Sequence, residues 1–519
     1  LALSYDKQLK GKNGYKVYQT DANGYALVDG TLREKDPTNG NDLYLTIDSG
    51  LQRNLDYLMS NAYSESGAEV VTAGVMEIKT GKILAMSTYP SFNPNERNIS
   101  TFNNYFLEGT IECGSVFKPF IYADSIEEGK YDHNAYYNSG SYNVYYGNKL
   151  VATIKDHNGG QGWGTITYDQ GLYHSSNVAI CNLLDQGYVT KDVLTEKLND
   201  LGFFQGDTMD GLTCSSSINA YTRKNAGRLE YLTTGFGQGS TVTPYQLLKA
   251  YSVFGNDGKT VQPHIVDKVV NPETNKVVYQ ATPKYSKQIF STNTISQVKD
   301  LMLGVIEDEQ GTGKTYRLDN DVRMIGKTGT GQVVENGGYS TTLYMHSFVG
   351  IAPYDDPQVV MFLTFKSGDS YAQYMPNIVK QTMNEALQVV NRYNAKNTTA
   401  VDQSCTLDSY TNQSVNYVKS KLESKSLSVQ IIGNGSSVIE QYPLAKSKVT
   451  SGDKVFIKTE GKDITLPNLI GWSKKEVQTY ASLAGIQLTI DGTSGHVTAQ
   501  SVGENTVVHS GDSLTVAIS

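Results

Sequence analysis

The stretch SGDKVFI, from Ser451, returns as SGDSLTV, from Ser510. The offset is 59 residues, and it holds along the flanks: Val418 corresponds to Val477, Ile431 to Ile490, Val438 to Val497, Gln441 to Gln500 and Val449 to Val508. A fixed period of this kind means two copies of one small unit. Each copy reads as a helix followed by strands around a Ser-Gly-Asp turn. In the second copy Ser473 and Glu476 make an S-x-x-E capping box, and Gly485 suits the helix end. Residues 403–460 and 461–519 are therefore predicted to be two α/β modules in tandem. The polar stretch NRYNAKNTTAVDQS, from Asn391, reads as the linker before them.

The chain has 519 residues, enough for several domains. With 39% hydrophobic and 18% charged residues it is globular, and a net charge of -8 argues against a general nucleic-acid binder. There is no run of apolar residues long enough for a transmembrane helix. The opening LALSYDKQLKGKNGY has no signal pattern and reads as the interior of a longer protein, so a leading segment is expected to precede it. The four cysteines, Cys113, Cys181, Cys214 and Cys405, show neither C-x-x-C spacing nor the density of a disulfide scaffold.

Between about residues 43 and 395 helical and strand patterns mix. Leu51, Leu55, Leu58 and Met59 recur at helical spacing. AGVMEIKTGKILAMS reads as two strands around a Lys-Thr-Gly-Lys turn. HSFVGIAP and QVVMFLTF read as adjacent strands, and NIVKQTMNEALQVV as a closing helix. Strands at both ends with helices between predict one α/β domain whose sheet joins early and late segments.

Within that region ECGSVFKPF places Ser115 three residues before Lys118. Gly114 allows a tight entry. Pro119 is tolerated only in a first helical turn, so a helix should begin near Ser115 and run to Gly129. Residues i and i+3 share a helix face, which lets Lys118 reach the Ser115 hydroxyl. The positive potential of a helix N-terminus favours an alkoxide and disfavours an ammonium. A neutral lysine there is a base for an attacking serine. HSSNVAIC then supplies Ser175-x-Asn177, and MIGKTGTGQ supplies Lys327-Thr328-Gly329 with Thr330 next. Alone, each reads equally well as a helix start, a helix cap or a strand-end turn. Together, in this order, S-x-x-K, S-x-N and K-T-G form the set found in penicillin-binding proteins and β-lactamases. FGQGSTVTPYQLLKAYSVFGNDG, from Phe236, adds a fourth match.

The chain resembles the class B, monofunctional penicillin-binding proteins, the D,D-transpeptidases of the bacterial wall. Its two C-terminal modules look like PASTA domains, as in the division-type members of Gram-positive bacteria. The resemblance implies an α/β (α+β) transpeptidase domain over residues 43–398, with a central antiparallel sheet flanked by helices, after the end of an N-terminal pedestal region (residues 1–42). It implies an extracytoplasmic enzyme held by an N-terminal membrane anchor, with no cofactor and no metal. Its substrates would be peptidoglycan stem peptides, and β-lactams would acylate it. A SEDS-type glycosyltransferase and other division proteins are the implied partners. Ser115 would form the acyl-enzyme and Lys118 would take its proton. Ser175 would relay a proton to the leaving D-Ala, and Asn177 would bind the substrate amide. Lys327 would hold the proton network, with Thr328, Gly329 and Thr330 binding the terminal carboxylate. The N–H groups of Ser115 and Thr330 would form an oxyanion hole. Where the family usually has proline, this chain has Cys113.

Other readings share part of the pattern. A carboxypeptidase or β-lactamase would share the motifs, but there is no obvious extra deacylating glutamate. A non-catalytic sensor would be expected to stop after the catalytic fold, and a pseudoenzyme to have lost Ser115, Lys118 or Lys327, none of which is lost. GTGKT, from Gly311, is not a Walker A motif, because Asp308 stands where its first glycine belongs, and Asp321 does the same for the GKT at Gly326. Asp156, His157, His174 and Cys181 lie close in sequence and are all potential zinc ligands. They read more simply as buried cysteine and surface histidine. The PASTA-like modules read either as peptidoglycan-binding units or as a structural tail.

Overall fold

The computed structural model describes the chain apart from residues 2, 94–102, 319–321, 336, 398–403, 426, 451–452, 493–495 and 519. It divides into two compact units, Leu1–Val390 and Asn391–Ser519.

The first unit begins with a hairpin, Tyr15–Thr20 against Ala26–Lys35, and a short strand, Asp42–Leu45, that pairs with Val266–Val270. Helix α1 (Ser49–Ser66) follows. Asp48 caps it by accepting from the Gly50 and Leu51 N–H groups, and Gly67 ends it with a left-handed φ of 69°. Leu51, Leu55, Met59 and Ala62 are the buried stripe. The three larger ones contribute about 1.5–3 kcal/mol each on burial, far more than local helix propensity supplies.

Strands β1 (Val70–Glu77) and β2 (Ile83–Tyr89) form the predicted hairpin, with Gly81 at φ 81° in its turn. Their partners come from the far end of the domain. Helix α2 (Lys118–Glu127), helix α3 (Asn177–Asp185) and helix α4 (Thr292–Glu307) intervene. Then come β3 (Ile325–Glu335), β4 (Gly338–Ala352), β5 (Val359–Ser367) and helix α5 (Met375–Asn397). The sheet order is β3-β4-β5-β1-β2, antiparallel throughout.

Each face of this sheet has its own core. Val71, Ala73 and Val75 point to one side, where Leu363 and Phe348 meet α1 and α5. Met76, Val349 and Phe362 point to the other, against a core that includes Phe117, Phe120, Phe203, Tyr251 and Phe254. A sheet buried on both faces reads as near-continuous apolar runs, which is why all eight residues of β1 are buried.

The predicted helix at Ser115 starts differently. Gly114–Phe117 is a 3-10 turn, and the α-helix begins at Lys118 with Pro119 in its first turn. The tighter turn has three residues per repeat, so Ser115 and Lys118 still share one side. Cys113 takes φ -78°, close to the value that a proline ring imposes, so the entry keeps its course without the ring.

The second unit contains the repeat. α6 (Val415–Ser424) precedes β6 (Ser428–Ile432), β7 (Val438–Tyr442) and β8 (Lys454–Thr459). α7 (Lys474–Ala484) likewise precedes β9 (Gln487–Asp491), β10 (Val497–Gln500) and β11 (Ser513–Ile518). In both copies the last strand is central, parallel to the first and antiparallel to the second. The matched glutamines do the same work: Gln441 Oε1 accepts from the Tyr410 N–H and Gln500 Oε1 from the Leu469 N–H, each at 2.7 Å. The predicted capping box of Ser473 and Glu476 is present, and Gly485 is left-handed. The Ser451-Gly452 part of the first turn lies outside the described residues.

Strand β3 presses on the 112–116 segment at its glycines. A Cβ on Gly331 would lie 1.6 Å from the Glu112 carbonyl oxygen, and one on Gly329 would lie 2.7 Å from that of Cys113. Gly331→Ala should therefore push the 112–115 segment off the strand. The expected cost is about 1–3 kcal/mol, read as a lower melting transition together with slower penicillin labelling.

Candidate active site

The three motifs converge on one buried hydroxyl. Lys118 Nζ donates to the Ser175 carbonyl at 2.5 Å and lies 3.4 Å from Ser175 Oγ. Lys327 Nζ donates to the same Oγ at 2.8 Å and to the Thr328 carbonyl at 3.0 Å. Both lysines are 0% exposed. Ser115, the second residue of the 3-10 turn that leads into Lys118, is half-buried, whereas Thr330 is exposed. The predicted link from Lys118 to the Ser115 hydroxyl is replaced here by the link to Ser175. An i to i+3 spacing puts the amine on the right side of the turn, but tertiary contacts choose its partner.

Burial disfavours a charged amine. It pulls Lys118 down to about 7, against the opposing pull of Asp156. Lys327 is pulled well down by burial and then by the positive charge of Lys118. The two amines share one hydroxyl.

Asp156 holds the second motif. Its Oδ1 accepts from Ser176 Oγ at 2.9 Å, the Asn177 N–H at 2.7 Å and the Val178 N–H at 3.1 Å. Its Oδ2 accepts from the Gly140 N–H at 2.8 Å. This buried carboxylate thus caps α3 in place of bulk water. Ser175, just before the helix, takes a left-handed φ of 60°. Asn177 lies in the first turn of α3, and its side-chain amide donates to the Lys155 carbonyl at 2.9 Å, leaving the other amide hydrogen for a ligand.

On β3, Thr328 Oγ1 donates to Thr312 Oγ1 at 2.8 Å. The GTGKT segment thereby buttresses the third motif. The Phe236 match lies across the site: the Gly114 N–H donates to the Gly237 carbonyl at 3.0 Å. Gly237 has φ 75°, and a Cβ there would lie 2.2 Å from the Gly114 carbonyl oxygen.

The other residues near the second motif separate. The Asp156 oxygens are taken by the donors just named. His174 stacks on Trp163 at 4.6 Å, and His157 tilts against the same ring. Burial and the charges of Lys118 and Lys327 lower His157. Cys181 is buried in α3, and burial raises its thiol. Among the described residues no group of three or more histidine, cysteine or acidic side chains could hold a metal ion. Sequence reasoning considered Asp156 only as a metal ligand and did not single out Thr312. An aspartate needed at a distant helix start leaves no local spacing to find it by.

Residues 71–388 match the penicillin binding protein transpeptidase domain. The chain belongs to that family. Residues 406–461 and 464–519 each match the PASTA domain, and residues 1–45 match the penicillin-binding protein dimerisation domain. The chain is 29% identical to "Stage V sporulation protein D" of Bacillus subtilis over 483 residues, covering 89% of this chain and 72% of that protein. It is 27% identical to "Probable peptidoglycan D,D-transpeptidase PenA" of Neisseria flavescens, covering 75% of this chain and 93% of that one. The fold is that of the crystal structure of penicillin-binding protein 2X from Streptococcus thermophilus, with a TM-score of 0.64 at 24% identity over 99% of this chain and 77% of that one.

Asp156→Ala leaves three buried donors and one half-buried donor without their acceptor, at about 1–3 kcal/mol for each buried one left unmet. It is expected to remove more than about 3 kcal/mol from the unfolding of the first unit, followed by calorimetry. Asp156→Asn, which keeps an acceptor oxygen, should lose less.

Proposed function

We propose that this penicillin-binding protein is a serine D,D-transpeptidase that cross-links peptidoglycan stem peptides with Ser115 as nucleophile. The observation that supports this most is the convergence of Lys118 and Lys327 on Ser175, with Ser115 in the turn that leads into Lys118. Neutral Lys118 takes the Ser115 proton as Oγ bonds to the carbonyl carbon of the penultimate D-Ala. The N–H groups of Ser115 and Thr330 hold the oxyanion. As the C–N bond breaks, Ser175 passes a proton to the departing D-Ala amine, with Lys327 keeping the relay in position. Thr328 and Thr330 bind the terminal carboxylate, Gly329 allows the close approach of β3, and Asn177 binds the substrate amide. A stem-peptide amine then attacks the ester, and Ser115 leaves with its proton restored. A β-lactam enters the first half of this cycle.

In this reading, residues 1–42 end a pedestal, 43–398 carry the catalysis, and 403–460 and 461–519 are PASTA modules. The enzyme acts in septal wall synthesis on the extracytoplasmic face of the membrane, through an N-terminal anchor and with a SEDS-type glycosyltransferase and other division proteins. Support for the setting is the family and the tandem PASTA modules. No helix among the described residues is long and apolar enough to cross a membrane.

Intact-mass analysis after penicillin treatment should show one drug mass on the Ser115 peptide, absent in Ser115→Ala; an adduct elsewhere would refute the assignment. The acylation rate should rise with pH through about 7 as Lys118 loses its proton. Lys118→Arg, whose guanidinium stays charged, should lose about 10²–10⁴-fold at every pH tested.

A further inference from the structure

One titratable side chain beside the second motif has no part in the reaction above. His157 directly follows Asp156, whose Oδ1 accepts from the Asn177 N–H, and Lys155, whose carbonyl accepts from the Asn177 side chain. These bonds hold the 155–157 segment along the start of α3. A row of rings then sets the imidazole. It tilts against Trp163 at 5.4 Å, and Trp163 lies on His174 at 4.6 Å, 9° from parallel. His174 directly precedes Ser175. His174 is 6% exposed, whereas His157 reaches water. Among the described residues no hydrogen bond holds the His157 ring, so a nitrogen lone pair is open to a ligand. Partial desolvation, then the charges of Lys118 and Lys327, favour its neutral form; Asp156 opposes them and His174 adds to them. Two lysines, one on α2 and one on β3, thus act on a ring carried by the loop before α3. The ring stands at the rim of the cleft where those elements meet.

An acceptor amine arrives there as an ammonium, because alkyl amines are protonated at neutral pH. It has no lone pair for attack. The relay through Ser175 and Lys118 carries one proton, the one that Ser115 needs as it leaves. The ammonium brings a second. Left on a buried lysine, that proton would be a buried charge. An imidazole in contact with water can take it and shed it near neutral pH. We propose that His157 is the base that frees the acceptor amine. Its imidazole takes the surplus proton, and the freed nitrogen lone pair bonds to the acyl carbon. The bond from that carbon to Ser115 Oγ breaks as the relay moves the amine's next proton to Oγ. The imidazolium returns its proton to solvent. The inference rests on the transpeptidase reading.

The test uses the whole chain, a D-Ala-D-Ala-type thioester donor and two acceptors in competition. One is N-acetyl-lysine, an ammonium at neutral pH. The other is methoxyamine, which is uncharged there. The readout is the ratio of lysine to methoxyamine product, which depends neither on the acylation rate nor on the fraction of protein folded. His157→Gln should lower it about 10²-fold at neutral pH, the lower end of what a positioned base contributes. The loss should shrink as pH rises toward the titration of the lysine amine, where the acceptor is already free. His157→Asp, which supplies another base, should recover part of it. A ratio unmoved by His157→Gln, or a loss that stays constant with pH, overturns the role. If His157→Gln does not fold, the wild-type pH profile decides. Its ratio should level off above the titration of the histidine, and a climb that continues to that of the lysine amine overturns the role. A wild type that transfers only to methoxyamine defeats the base alone. A wild type that is acylated but transfers to neither acceptor defeats the transpeptidase reading as well.

Discussion

The catalytic cleft depends on a strand edge stripped of side chains. Where β3 meets the nucleophile turn, a Cβ on Gly329, Gly331, Gly114 or Gly237 would stand within 3 Å of a neighbouring backbone oxygen. Two backbones can come this close only if neither carries side chains at the contact. That approach sets the 112–116 segment, Ser115 included, against strand β3. It also explains why the strand keeps its ladder to β4 on one side while its outer edge faces the turn. A bulkier strand would leave the same catalytic residues present and misplaced.

Into this contact the fold brings two lysines and withholds water. Each ammonium loses its hydration on burial, with both side chains 0% exposed. The response is a lowered proton affinity at both, together with short hydrogen bonds to Ser175. Ser175 is held in a left-handed conformation that a non-glycine residue adopts at a cost of about 1–3 kcal/mol. Asp156 secures the position by meeting the helix donors just beyond it. The strain thus sits at the residue on which the motifs converge, backed by a carboxylate that is itself fully hydrogen-bonded.

Much of this was legible in the chain, wherever the determining interaction was local. The spacing of Leu51, Leu55 and Met59 marks α1 because helical periodicity acts within a few residues. The β1–β2 hairpin declared itself through its Lys-Thr-Gly-Lys turn. The repeat declared itself through pairs such as Gln441 and Gln500, although their shared task of accepting a loop N–H became visible only in the fold. The motif residues Ser115, Lys118, Ser175, Asn177 and Lys327 were also readable, because their types and order are distinctive. The 3-10 start at Gly114 was not, since helix and 3-10 turns place i and i+3 alike and differ in packing.

The sequence by itself determined the chemical inventory: a serine and a lysine one turn apart, a second serine and a lysine on a strand, glycines at the tight positions and two copies of a small module. Only the tertiary structure decided that Lys118 turns to Ser175, that Lys327 meets the same hydroxyl, and that Asp156 accepts from the first turn of α3. The physical reason is desolvation. A side chain's partner and proton affinity depend on which distant segments exclude water from it, and residues 118, 175 and 327 acquire that environment only when the sheet closes on the helices.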